Sequence, residues 1–479
     1  MIGDRWLIPP LGVVVLLLLA WSVIATLRQY FRLRHFKGPF STGISKLWLI
    51  RAVGGGRTHL DFDPDLMKRM LNVRTPYKRS DWYNGMRLDP SRDNVLSMRD
   101  DDLHAKLRSK MAAGYSGKEV ENLEAKIDQN VLRLIDLIET KYAATRQPFD
   151  FGRKAQYFTL DVITDLAFGK PFGDLSSDSD VYEYIRTQEE NMPGIIVSTV
   201  IPWMLTILSS PLFKRMLPSD KDLIGIGKTM AIAKQVAAER FGPDRKVQKD
   251  MLGSFVARGL TQDEAESEIL MQLLAGSDTT ATAVRATLLH IVTNARVTSS
   301  LRAEIEAAKP SWPVITDAEA REMPYLQAVI KEGLRIWPPV VGLMAKEVPK
   351  GGDVFKGQYL PEGTHIGYCA WGIFRRTDIW GEDAQEYRPE RWLEGTPDKL
   401  REMEGTLELV FGYGRWQCLG KNVALMELNK VFVELLRRFD LVLVDPINPW
   451  RSINTGIFLQ SEYWMKAYQR PHAAKSAVE

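Results

Sequence analysis

Apolar positions recur every three or four residues through most of this chain and seldom alternate. Val120, Leu123, Ile127, Val131, Leu134 and Ile138 fall on one face of a predicted helix. The longest such pattern runs from Thr261 to about Asn294. Thr261 with Glu264 supplies a reciprocal cap at its start, and no proline interrupts it before Pro310. At 1.5 Å per residue that helix spans about 50 Å, enough to cross the whole body. A second predicted helix begins after Pro324 and stops before Pro338, because proline suits a first turn and not an interior. A third, Leu419–Phe439, is amphipathic and ends on Arg437 and Arg438. Strand patterns are few: Thr364–Ala370, Leu441–Val444 and Gln460–Met465. The pattern predicts a mainly α protein, a large helical body with a small β-rich part.

Two apolar stretches stand outside this scheme. Leu7–Leu27 carries no charge, and Arg28, Arg32, Arg34, His35 and Lys37 follow it. Roughly 20 apolar residues suffice to cross a bilayer, and the positive flank marks the cytoplasmic side. A cleaved leader would carry its basic flank in front instead. The expected organisation is therefore a short lumenal N-terminus (1–6), one transmembrane anchor (7–27), a basic membrane-proximal segment (28–60) and a cytoplasmic catalytic domain (61–479). Met192–Leu217 is also apolar, and fits either two core helices or a loop dipping into the bilayer.

Composition narrows the class. The 45% hydrophobic and 26% charged content is globular, and a net charge of +3 gives no basic excess for nucleic acid. The two cysteines, Cys369 and Cys418, exclude a disulfide-stapled or zinc-finger fold.

The chemistry concentrates around Cys418. In Phe411-Gly412-Tyr413-Gly414-Arg415-Trp416-Gln417-Cys418-Leu419-Gly420, glycines let backbone approach a flat ligand, and the cysteine sits at the mouth of the third helix. Helix N–H groups there stabilise a sulfur anion, as an axial haem ligand requires. Mid-way along the longest helix, Ala275-Gly276-Ser277-Asp278-Thr279-Thr280 combines small residues with poor helix formers, suggesting a locally opened turn. Glu332 and Arg335 share a helix face, and Arg391 follows in Pro389-Glu390-Arg391-Trp392. His104 and Arg108 sit one helical turn apart.

Together these motifs resemble the cytochrome P-450 superfamily over about residues 37–470. The cysteine loop, Ala113–Ser116 and Val348–Gly352 look closest to its fungal pisatin-demethylase-like branch. The resemblance implies a haem b cofactor bound by Cys418, with Phe411, Gly412, Gly414, Arg415, Trp416, Gly420, Ala275 and Gly276 around it. It implies that Thr279 holds a proton-delivering network, that Asp278 feeds it, and that Glu332, Arg335 and Arg391 form a buried structural cluster. His104 and Arg108 would meet the haem propionates. Many relatives carry Arg or His two positions before the cysteine; here Trp416 stands there, so either its indole N–H or Arg415 takes that role.

The implied reaction is insertion of one oxygen atom from O₂ into an apolar small molecule, in secondary metabolism or detoxification. Electrons would come from NADPH through a flavoprotein reductase, with cytochrome b5 a second possible donor, at the endoplasmic reticulum membrane. Lys421, Arg437 and Arg438 are the expected reductase patch. The expected substrate contacts are Trp82–Asn94, the helix around Leu274, Val340–Leu343 and Gly456–Phe458. An O₂-independent isomerase or dehydratase, and a haem-binding sensor, remain the alternatives; the retained Asp278-Thr279 pair speaks against the isomerase or dehydratase.

Overall fold

In a computed structural model, the described residues are 10–33 and 63–471, apart from 90, 203–204, 206, 208–209, 211–217, 223–224, 243–244 and 246; the side chains of 10–16 and 18–19 also lie outside the description. Helices dominate, and the long one comes out as Gln262–Thr293. Thr261 caps it: its side chain accepts from the Glu264 N–H while Glu264 answers the Thr261 N–H. Nearly every turn of this helix is buried, so it is the axis of the molecule.

Close packing around that axis depends on two glycines. A Cβ at Gly276 would lie 2.6 Å from Ile163, so its absence lets helix Phe151–Phe168 approach. A Cβ at Gly333 would lie 2.0 Å from the Thr287 hydroxyl, which admits helix Pro324–Ile336. Ile127, Val131, Leu134 and Ile138 are buried as their spacing predicts, on helix Leu123–Leu137 and the π turn that continues it. Each such side chain contributes about 1.5–3 kcal/mol of burial. The third helix is Lys421–Arg438.

The sheets are small. Three short strands, Lys78–Arg79 (β1), Lys346–Glu347 (β3) and His365–Ile366 (β6), form one antiparallel sheet. Phe149–Asp150 (β2), Trp464–Gln469 (β10) and Phe439–Leu443 (β7) form another. Asp353–Phe355 (β4) with Gln358–Leu360 (β5), and Arg451–Asn454 (β8) with Phe458–Ser461 (β9), make two hairpins. The expected strand at Thr364–Ala370 shrinks to two residues, and Cys369 instead caps a short helix from Ala370. Gln460–Met465 is broken in two by a turn whose Glu462 has φ 60°.

The N-terminal expectation stands differently. Pro10–Leu33 is helical, yet among the described residues no helix is long and apolar enough to cross a membrane. Residues 1–9 and 34–62 lie outside the described residues, so the boundaries at 6, 7 and 60 do too. Of the Met192–Leu217 stretch, Met192, Ile196 and Val200 are core positions on helix Tyr184–Val200, while Trp203 and Phe213 lie outside the described residues.

Candidate functional site

Cys418 sits where loop becomes helix. Glycines shape the approach: Gly412 and Gly414 hold φ of 74° and 59°, a region that side chains resist. A Cβ at Gly412 would press on the Trp416 carbonyl at 2.8 Å, and one at Gly414 on the Leu71 carbonyl at 2.6 Å. Both glycines thus serve the fold of the loop, and Gly414 its seat on helix Pro64–Leu71. Gly420 lies beside the sulfur, with a virtual Cβ 3.9 Å from Sγ.

The Cys418 side chain is solvent-accessible although protein crowds it from nearly every direction. The two observations agree if its open side faces an internal cleft. Burial pushes the thiol pKa up; the N–H groups of Gly420 and Lys421 and the charge of Arg108 act against this. A thiolate here is held by a helix start and two cations, Arg108 and Lys421. Phe411 accepts the Cys418 N–H through its carbonyl, at 2.6 Å.

The long helix offers a matching opening. Ala275 is exposed between buried Leu274 and Ser277, and Thr279, one turn on, is half-buried. The Thr279 hydroxyl donates to the Ala275 carbonyl at 2.8 Å, which weakens the helix there and keeps the oxygen at the opening. Tyr115 connects the two sides, lying near both Gln272 and Cys418. The Cβ direction of Gly276 points at Ile163, while the residue itself is half-exposed beside Ala275. Asp278 is buried against helix Phe151–Phe168, and burial pushes its carboxyl up to about 7.

Beside the cysteine loop lies a cluster of cations that the sequence only half disclosed. Arg79 and Lys346 are directly opposed across β1 and β3, and both are buried. Like charges so placed repel unless an anion joins them. Trp416 is their floor: Lys346 Nζ stands 3.5 Å and the Arg79 guanidinium 4.2 Å from its ring centre, and the His104 ring is 4.4 Å away. Lys346 Nζ, Arg79 Nε, His104 Nδ1, Arg415 Nε and Trp416 Nε1 are buried without a hydrogen-bond partner among the described residues. Burial, then Arg79, Arg108, Lys346 and Arg415, pushes His104 down to about 3. Burial, then Arg79, pushes Lys346 down to about 6.

Arg415 is tied to the Val73 carbonyl and, at 3.2 Å, to Asp101. Its displacement by one position therefore points it towards the loop's edge, and the buried indole N–H of Trp416 remains unmatched. A dicarboxylate at this place would satisfy the orphaned donors. Haem carries two propionates, so the donor set, the open sulfur and the exposed Ala275 all fit that group. Arg79 and Lys346 were missed because an Arg–Lys pairing across short strands leaves no spacing signal in sequence.

Glu332, Arg335 and Arg391 do come together. Arg335 donates twice to Glu332, at 2.9 and 2.7 Å, and Arg391 donates once at 2.9 Å. The Trp392 indole and the Arg388 N–H complete the carboxylate's acceptors, each at 2.9 Å. Arg335 also holds the carbonyls of Phe374, Ala384 and Glu386. The cluster pins the segment ahead of the cysteine loop, and removing one partner from a buried pair costs about 3–5 kcal/mol.

The expected substrate segments are partly assembled. Val340 bridges Ile457, and the Val341 N–H donates to the Gly456 carbonyl at 2.9 Å. Ile196 comes within 3.8 Å of the Cβ position at Gly456, and Gly85 packs on the Thr199 backbone. The expected reductase patch is not one patch. Lys421 pairs with Glu408 at one end of its helix, while Arg437 and Arg438 bind Glu434 at the other. A groove of about 430 Å³ outside the loop, lined by Lys68, Glu408, Tyr413 and Gln417 among others, contains neither Cys418 nor the long helix.

Residues 46–465 match the cytochrome P-450 family, nearly the whole of the described body. The chain belongs to the cytochrome P-450 family. Among relatives, the cytochrome P-450 monooxygenase ABA1 of Pyricularia oryzae is 42% identical over 98% of both chains. The monooxygenase abl1 of Leptosphaeria maculans is 35% identical over 90% of this chain and 82% of its own. Pisatin demethylase of Fusarium vanettenii is 28% identical over 95% of this chain and 93% of its own. This P-450 is a haem-thiolate monooxygenase, an oxidoreductase; nothing favours the isomerase, dehydratase or sensor alternatives.

Proposed function

We propose that Cys418 is the axial thiolate to the iron of haem b, and that this P-450 oxidises an apolar small molecule in fungal secondary metabolism. The observation that carries the reading is the open sulfur at a helix start, beside buried donors lacking an anion. Lys346, Arg79, His104, Arg108 and the Trp416 indole hold the propionates. When bound, the haem supplies oxygen activation, which a thiolate favours by pushing electron density towards O–O cleavage.

The protein's own part is to place groups. Ala275 leaves room at the long helix, Thr279 holds its hydroxyl at that opening, and Asp278 stores a proton behind it. Val340, Val341, Leu343, Ile457 and Ile196 offer an apolar wall, suited to a substrate with little polarity. Electrons come from NADPH through a flavoprotein reductase, with cytochrome b5 an accessory donor.

Leu7–Leu27 anchors the protein in the endoplasmic reticulum membrane, with residues 1–6 lumenal and 61–479 cytoplasmic. In support, Leu17 and Trp21 on helix Pro10–Leu33 are 64% and 70% exposed, an apolar surface that protein does not cover. Basic residues 28–37 sit on the cytoplasmic side.

The test is the difference spectrum of the reduced protein with carbon monoxide. The wild type should show the thiolate-ligated form. Cys418→Ser should lose it and all NADPH-driven oxygenation; persistence of the thiolate band in that variant refutes the assignment.

A further inference from the structure

Behind the opening at Ala275, three buried side chains form a relay from one helix to the next. Arg285, two turns beyond Asp278 on the long helix, is 2% exposed and has no carboxylate partner among the described residues. It donates to the Gly152 carbonyl at 2.9 and 2.6 Å and to Gln156 Oε1 at 2.8 Å. Gln156 Nε2 in turn donates to Asp278 Oδ1.

The orientation of that amide is forced. A guanidinium has only donors, so Gln156 must turn its oxygen to Arg285 and its NH₂ to Asp278. Oδ1 of Asp278 is then committed as an acceptor. Oδ2 is buried with no hydrogen-bond partner among the described residues.

We propose that Gln156 is a positioning residue for proton delivery: clamped by Arg285, it pins one oxygen of Asp278 and leaves Oδ2 as the atom that carries and hands over the proton. The inference rests on the reading of Asp278 as the proton store. The step moves one proton and no electrons. Oδ2 releases H⁺ towards the oxygen site, and solvent returns one H⁺ to the same atom.

The groups around Asp278 agree with a carboxyl able to hold either state. Burial raises its pKa most; Arg285, the Gln156 N–H and Arg153 lower it, and Glu189 raises it. Arg153 and Glu189 are paired to each other at 2.7 Å. Tyr184, from the neighbouring helix, has its hydroxyl pKa raised well above the ordinary value by burial and stays neutral.

The test uses the ferric holoenzyme and infrared titration of the carboxylic-acid band that Asp278→Asn removes. Gln156→Leu and Gln156→Glu both delete the N–H donor; the second keeps an acceptor for Arg285 and so protects the fold. Both should raise the band's midpoint by about one pH unit, since a hydrogen bond to the charged form is lost. With reductase and NADPH and no added substrate, both should also raise the share of NADPH electrons recovered as hydrogen peroxide, as Asp278→Asn should. An unmoved midpoint, or an unchanged peroxide share, in Gln156→Glu overturns the role of Gln156. If Asp278→Asn itself leaves the peroxide share unchanged, the reading of Asp278 fails instead, whatever the Gln156 variants do to the band.

Discussion

Lys346 shows how one residue can be wrong for the protein alone and right for its ligand. It is 1% exposed, with Nζ over the Trp416 ring and Arg79 across the strand pair. Without an anion its pKa lies near 6, against an ordinary value of 10.5. Between about pH 6 and 10.5 the unfolded chain then binds the extra proton, so this residue makes the haem-free protein more stable as pH rises. A bound propionate would restore the ammonium, and haem binding would take up that proton. Haem retention should therefore weaken from pH 7 to 9, measured by transfer to an apo-haem acceptor. Lys346→Met should release haem faster at pH 7 and show a flatter pH dependence. The residue was illegible in sequence because nothing near Lys346 or Arg79 marks them as opposed. Cys418 was legible because its glycines and the helix after it are contiguous.

Among elements, the long helix was the easiest to read and the one whose details moved most. Its start and length follow from Thr261 and Glu264, whereas the opened turn expected at Ala275–Thr280 is absent: the helix runs unbroken through it. The helix has two working faces at that stretch. Ala275 and Thr279 face the opening; Gly276 and Asp278 face helix Phe151–Phe168. Sequence spacing alone does not say which neighbour each face meets, so the packing of Gly276 on Ile163 was not legible in it. Gly276→Val should push against Ile163 and cost about 1–3 kcal/mol, as overpacking does. The measurable outcome is a lower Tm with the carbon monoxide spectrum of the folded fraction unchanged. The short strands escaped prediction for a related reason: β1, β3 and β6 are two residues each, too short for an alternating pattern to show.

At the scale of the molecule, one helical body carries the chemistry, and helix Pro10–Leu33 exposes the apolar Leu17 and Trp21. The fold class follows from periodicity, because helices longer than three turns repeat their pattern often enough to be recognised. The proposed bilayer placement rests on the charge-free run and its basic flank, not on packing. A chain lacking residues 1–33 should leave the membrane fraction of expressing cells while keeping its haem spectrum. Retention in the membrane pellet would instead point to the stretch near Met192–Leu217 as a second attachment.

The opposed Arg79 and Lys346 carry a consequence for the cell. Until iron porphyrin arrives, a newly made chain buries the Arg79 guanidinium against a lysine kept short of its proton, so the cofactor would complete the interior. When porphyrin supply is short, the unfinished molecules are the weaker ones and the first offered to quality control. Abundance of this enzyme would thereby follow haem synthesis.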